Sequence, residues 1–202
     1  MNIRPLRFRT NIAIHHPFIP HWGVTVTIRA WKDDDDAEHL TRMLHRAYAP
    51  LAAAGMRYTA THQSSDVTLR RLRTGHALVA EEGGMIIGTL TVYRPDRESS
   101  VETYRDPHTY HFGQFAVDPG HKGRGIGRAL HQAAIRHAIV EGARFMALDT
   151  ASPATDLITT YQRWGYEIVD RMDHSSTNYI SVIMRLDLRS HLPQRISEPG
   201  VV

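Results

Sequence analysis

The chain has no cysteine among its 202 residues. That excludes disulfides, thiolate metal sites and a cysteine nucleophile, and it suits a reducing compartment, so a cytoplasmic location is expected. No apolar run approaches the ~18 residues a membrane-spanning helix requires, and no membrane partner is expected. Charge of one sign is also lacking: 24 Lys and Arg face 21 Asp and Glu, a balance too even to imply nucleic acid. The Walker string G-x-x-x-x-G-K-[ST] and the G-x-S-x-G elbow of serine hydrolases are both absent. Histidine is plentiful at 14 residues. Yet His15-His16 and His108-x-x-His111 bring no third ligand at sensible spacing, so no metal site is expected.

What is present reads as one α+β domain. Residues 1–23 hold Arg4, Arg7 and Arg9, are broken by Pro5, Pro17 and Pro20, and are expected to form an irregular arm. Residues 24–187 carry the elements, and 188–202 are expected to be a frayed tail. Alternation predicts a strand over Val24–Arg29. The Asp33–Asp36 run caps a helix over Ala37–Ala49, with Leu40, Met43, Leu44 and Ala47 on one face and Pro50 as its breaker. Met56–Ser64 is expected to be a loop, followed by a short helix to Arg73 whose Arg70, Arg71 and Arg73 face solvent. His76–Glu82 and Met85–Tyr93 form a hairpin around Gly83-Gly84. Pro95–Pro107 is turn-rich and expected to be a loop. Thereafter come a strand at Thr109–Val117, a helix at Gly125–Glu141, a strand at Arg144–Thr150, a helix at Pro153–Trp164, and strands at Tyr166–Arg171 and Tyr179–Leu186. This order gives a mixed sheet with helices, not a doubly wound chain.

The most informative stretch is residues 117–130, Val-Asp-Pro-Gly-His-Lys-Gly-Arg-Gly-Ile-Gly-Arg-Ala-Leu. A strand ends, glycines recur at Gly123, Gly125 and Gly127, and a helix begins. Free backbone N–H groups at a helix N-terminus form a phosphate site, because the amides point outward and the dipole favours negative charge. The Rossmann spacing fails, since its third glycine falls on Arg128 or Leu130. A turn that merely packs a helix onto a strand is the competing reading.

Val117-x-Pro119 followed by Lys122-Gly-Arg-Gly125-Ile-Gly127 resembles motif A of the GCN5-related N-acetyltransferase (GNAT) superfamily, Arg/Gln-x-x-Gly-x-Gly/Ala, with Lys122 keeping the positive charge. Tyr161-Gln-Arg-Trp-Gly165-Tyr166 resembles the family's Tyr-x-x-x-Gly-Phe/Tyr. The resemblance implies a mostly antiparallel mixed sheet between two layers of helices, and acetyl-CoA as co-substrate. It places the diphosphate on the amides of Lys122, Gly123, Arg124, Gly125, Ile126 and Gly127, with Arg128 on the same helix end. The pantetheine arm is expected in a splayed gap between the strand ending at Val117 and the strand near Leu148, held by the backbone of Phe115, Ala116 and Val117. The family often has Asn seven residues before Tyr161; here Ala154 stands there, with Ser152 or Thr155 as replacements.

Acetyl transfer from a thioester to an amine needs a neutral amine, a stabilised oxyanion and a proton for the leaving thiolate. Tyr161 is the candidate general acid. His111 is the candidate base, with Glu81 and a water chain as rivals. Strand alternation puts 111, 113, 115 and 117 on one face. Tyr58, Tyr93, Tyr104 and Tyr110 are weaker candidates for the acceptor wall. The expected reaction is acetylation of a primary amine on a small molecule or peptide; a non-catalytic acyl-CoA-binding module is the alternative. A homodimer is left open.

Overall fold

In the computed structural model, residues 17–18, 25–173 and 177–191 are described. The bulk of the predicted arm and tail lies outside them. Eight strands form one sheet: β1 (Pro17–Phe18), β2 (Val26–Ala30), β3 (His76–Glu82), β4 (Met85–Tyr93), β5 (Thr109–Val117), β6 (Phe145–Ala151), β7 (Glu167–Asp173) and β8 (Ile180–Asp187). Their spatial order is β1-β2-β3-β4-β5-β6-β8-β7. Every neighbouring pair is antiparallel except β5 and β6, which run parallel. A two-residue turn joins β3 to β4 as an antiparallel hairpin, and the helical crossover after Val117 supplies the parallel pair.

Helices α1 (Ala37–Ala53) and α2 (Ser65–Arg73) cover one face of the sheet. Leu40, Met43 and Leu44 of α1 are fully buried there, each contributing roughly 2 kcal/mol by leaving water. Helices α4 (Ile126–Val140) and α5 (Thr155–Arg163) cover the other face. Ile126, Leu130, Ala134 and Ala138 form the buried stripe of α4, as the helical spacing predicts. The expected three layers are therefore present. Among the described residues no helix is long and apolar enough to cross a membrane.

Four local expectations need correction. Pro50 does not break α1, which continues to Ala53. Proline removes a donor and crowds the carbonyl four residues back, but here one turn suffices to finish the helix. Its end is then closed by Gly55 N–H to Ala52 O (2.9 Å) and Met56 N–H to Leu51 O (2.9 Å). The predicted loop at Met56–Ser64 contains a single 3-10 turn, Thr59–Thr61. The turn-rich stretch Pro95–Pro107 contains α3 (Glu102–Arg105), which buries Tyr104 against the sheet beside Val101, Ala147 and Ile183. Finally, Leu188 is 1% exposed rather than frayed, within a 3-10 turn at Leu188–His191.

Candidate active site

The glycine-rich turn is fastened by its side chains, and its backbone is left free. Asp118, just beyond β5, accepts from Gly120 N–H (3.0 Å) and from Arg46 of α1 (2.6 Å). Burial would raise its pKa, but hydrogen bonds from Arg46, Gly120 N–H and His121, with the Arg46 charge, together outweigh that and hold the carboxyl below the usual range. Arg124 donates to Glu82 at the β3–β4 turn (3.0 Å), and His121 lies 3.5 Å from both Glu82 and Asp118. The Arg124 side chain is thus engaged with Glu82, and its amide stays free. Lys122 and Arg128 are exposed and have no acidic partner among the described residues.

Gly123 and Gly125 both have φ of +77°, a conformation costly for any residue with a Cβ. Gly125 is the N-cap of α4 and gives the helix no side-chain cap. Among the described residues, no N–H from Gly123 to Arg128 has an acceptor. On either side, Ala129 N–H bonds to Gly125 O and Lys122 N–H to Pro119 O (3.5 Å), so the Lys122 amide expected among the free donors already has an internal acceptor. Six successive donors at a helix start, with two free cations beside them, suit a doubly charged anion.

Beside the turn the sheet splits. β5 and β6 pair only through Thr109 with Phe145, Tyr110 with Met146, and His111 with Ala147. Beyond His111 the strands diverge, so the β5 edge from Phe112 to Val117 faces a gap. The side chains of Phe115 and Val117 pack toward α4, with a Cβ on Gly127 only 3.4 Å from the Phe115 ring. Ala116 is buried on the opposite face. Tyr48 of α1 donates to Phe115 O (3.0 Å). Tyr58 shares a hydrogen bond with Thr150 (2.9 Å) and accepts from Ala151 N–H (2.9 Å). Its ring lies 5.4 Å from that of Tyr48 and 5.1 Å from that of Tyr179.

Tyr161 of α5 is 8% exposed and its hydroxyl has no partner among the described residues. Burial, with smaller contributions from Tyr48, Tyr58 and Asp149, raises its pKa well above 10. It therefore remains a protonated phenol facing groups from the other side of the split. Ala154 caps α5 without a side-chain bond, so the contact that Asn would make is absent. Ser152 accepts from Arg171 instead (3.0 Å).

The expected alternation along β5 fails at Gln114. This residue has φ of +49°, and the register jumps from Thr91 with Gly113 to Thr89 with Ala116. Such a bulge inserts one residue and turns the following side chains over. His111 and Gly113 consequently share the face covered by α1 and α2, and Phe115 and Val117 lie on the other. His111 is sandwiched between Tyr104 (3.9 Å between ring centroids) and Tyr93 (5.2 Å). Burial lowers its pKa to about 4, and its Nδ1 has no hydrogen-bond partner. Glu81, the rival base, is bonded to Arg29 near the sheet edge. Tyr110 points away, its hydroxyl donating to Glu141 O (3.3 Å) in the α4 layer.

Two charged residues that sequence reasoning overlooked complete this cleft. Asp149 of β6 accepts from Tyr104 (3.1 Å), and its charge is felt by Tyr48, Tyr58, Tyr161 and Tyr179. Arg71 of α2 does not face solvent with its neighbours. It donates to Gln63 (2.7 Å) and reaches toward Gly113, where a Cβ would sit 3.2 Å from its Nη2. Neither had a sequence signal: Asp149 sits in an otherwise apolar strand, and Arg71 in a run of three basic residues.

The acetyltransferase (GNAT) family model matches residues 37–166. The chain belongs to this acetyltransferase family. It is an N-acetyltransferase by class, and several relatives share that class. The S-(2-succino)cysteine N-acetyltransferase of Bacillus subtilis is 34% identical over 159 residues, covering 78% of this chain and 93% of the relative. The S-alkylcysteine N-acetyltransferase of the same organism is 25% identical over 138 residues, covering 66% and 75%. Among solved structures, yncA of Salmonella typhimurium, determined with its cofactor acetyl-CoA, superposes with a TM-score of 0.61 at 22% identity. It covers 88% of this GNAT chain, which in turn covers 99% of it.

Proposed function

We propose that this protein transfers the acetyl group of acetyl-CoA directly to the primary amine of a small molecule, and that an S-substituted cysteine is the kind of acceptor it takes. The observation carrying this reading is the run of six unpartnered amides from Gly123 to Arg128, placed at the mouth of the split between β5 and β6. The Bacillus subtilis relatives, by their names, support the acceptor class.

Acetyl-CoA supplies the activated acetyl group. The amides of the turn, with Lys122 and Arg128, hold its diphosphate. The exposed β5 edge at Phe115–Val117 offers main-chain hydrogen bonds along the gap and donors for the carbonyl oxygen as charge develops. Tyr161, kept protonated by burial, delivers a proton to the departing sulfur. An alkyl thiol titrates near 8.5, so this donor assists a leaving group that is already competent.

On the amine side the demand is modest. An α-amine titrates only a few units above pH 7 at most, so a neutral fraction is available for attack. His111 is wholly neutral at that pH and has a free ring nitrogen. With a pKa of about 4 it is a weak base, so it takes the proton only after attack has made the nitrogen acidic. Asp149 supplies negative charge for the approaching ammonium.

A thiol-release assay with acetyl-CoA and a panel of S-methylcysteine, other amino acids and short peptides tests this reading. Turnover on S-methylcysteine is expected. Calorimetric binding of acetyl-CoA with no turnover on any amine would leave only the acyl-CoA-binding module.

A further inference from the structure

Acetyl transfer as described gives Arg71 no task, and its surroundings are unusual. The guanidinium is half-buried, yet no acidic side chain pairs with it among the described residues. Arg29, Arg46, Arg73 and Arg124 are each held by a carboxylate. A partly desolvated cation without a counter-charge is costly unless a ligand supplies one.

The wall around Arg71 is short of partners as well. Gln114 is 2% exposed, yet its Nε2 makes no hydrogen bond, and the buried Tyr93 hydroxyl and Thr91 Oγ1 have only each other and Arg71 nearby. Buried polar atoms are nearly always satisfied, so an orphaned amide nitrogen beside a cation with no counter-charge points to an absent ligand. Arg71 N–H groups, the Gln114 amide and the Tyr93 hydroxyl all donate, which suits an acceptor-only anion such as a carboxylate. Two glycines make room for these side chains. A Cβ on Gly113 would press on Arg71 and Tyr93, and one on Gly75 would lie 2.9 Å from the Tyr93 ring.

Gln63 fixes the orientation. Its Oε1 accepts from Arg71 (2.7 Å), and its Nε2 donates to Thr68 (2.6 Å) and to Gln114 Oε1 (2.7 Å), which leaves the Gln114 amide nitrogen without a partner. The same wall continues through Tyr93, His111 and Tyr104 to Asp149. A cation thus stands at one end and a carboxylate at the other.

We infer that Arg71 anchors the α-carboxylate of the acceptor, with Gln114 and Tyr93 beside it, so that the protein selects free amino acids over peptides and simple amines. This rests on the acetyl-transfer reading. The amine of the bound amino acid then lies toward His111 and Asp149, and a peptide N-terminus, whose carboxylate is an amide, loses the anchor.

The test compares S-methylcysteine with its α-amide, by calorimetry with coenzyme A present and by thiol release. The wild type is expected to prefer the acid by about 30- to 100-fold, as loss of a charged hydrogen bond predicts. In Arg71→Met that preference falls to near unity, mainly through KM, and Arg71→Lys recovers part of it. Arg70→Met, on the exposed neighbour, keeps the full preference. Unchanged coenzyme A affinity in Arg71→Met shows that the fold is intact. If the wild type binds acid and amide equally, or if Arg71→Met keeps the preference, the assignment is wrong. Arg71-dependent binding of the acid with no turnover upholds the anchor and overturns acetyl transfer instead.

Discussion

The two faces of the sheet differ in what they ask of side chains. The α4 and α5 face presents a turn whose functional groups are main-chain amides, set by two left-handed glycines and pinned by Arg46, Asp118, Glu82 and Arg124. Any residue has an N–H, so the requirement is for backbone shape. The α1 and α2 face collects side chains from α1, α2, α3, β4, β5 and β6: Tyr48, Arg71, Tyr104, Tyr93, His111 and Asp149. Its wall includes the buried Nδ1 of His111 and Nε2 of Gln114, neither with a hydrogen-bond partner. On the proposed reading, the first face recognises a group common to all coenzyme A esters, and the second is where an individual acceptor is distinguished.

The largest effect should break the first face alone. Valine at Gly125 must adopt φ near +77°, at a cost of about 1–3 kcal/mol, or re-aim the amides. We expect Gly125→Val to weaken acetyl-CoA binding more than 100-fold in calorimetry, with circular dichroism unchanged.

Two buried histidines sharpen the contrast through pH. Burial, followed by the charges of His191 and Arg128, lowers the His131 pKa to about 3, and burial lowers that of His111 to about 4. Both folded values lie below the unfolded 6.5, so the unfolded chain binds protons first. Stability from each ring is full above pH 6.5 and is lost as pH falls toward 4. At pH 5 the loss is about 2 kcal/mol per ring. Urea unfolding at pH 7 and pH 5 should show His131→Gln relieving part of this loss, because His131 is bonded to Tyr166 (2.8 Å) within the core. His111→Gln should relieve it as well, and should also lower kcat.

Tyr161→Phe should lower kcat about 10-fold and leave the Kd for acetyl-CoA unaltered, since the thiol leaves readily even when water supplies the proton. An unchanged kcat would remove its role as acid. The smallest effect belongs to the acceptor wall. Gly113→Val crowds Arg71 and Tyr93 and should raise the acceptor KM about 5-fold, through strain of order 1 kcal/mol, with cofactor binding intact.

The same division governs what could be read from the sequence. The glycine-rich turn was legible because backbone geometry leaves a local signature: strand, Pro-Gly, spaced glycines, helix. The sheet and its helices were legible from period alone, and the hairpin from Gly83-Gly84. The Gln114 bulge was not. A non-glycine residue at φ +49° carries no composition signal, and missing it put His111 on the wrong face. Arg71 sat within Arg70-Arg71-Leu72-Arg73 and looked like a solvated stripe; only packing against Gly113 and Gln63 reveals its inward course. Asp149 gains meaning from four tyrosines far apart in sequence. α3 was hidden because a single helical turn has no period to detect.

The three residue pairs joining β5 to β6 carry a mechanical consequence. They are the narrow seam between a five-strand body and the β6-β8-β7 ribbon, whose own pairs run the length of each strand. A molecule seated in the gap stands in for the missing ladder. Amide exchange should then slow along β6 and β8 far from any direct contact, as two loosely riveted plates come to open and close as one.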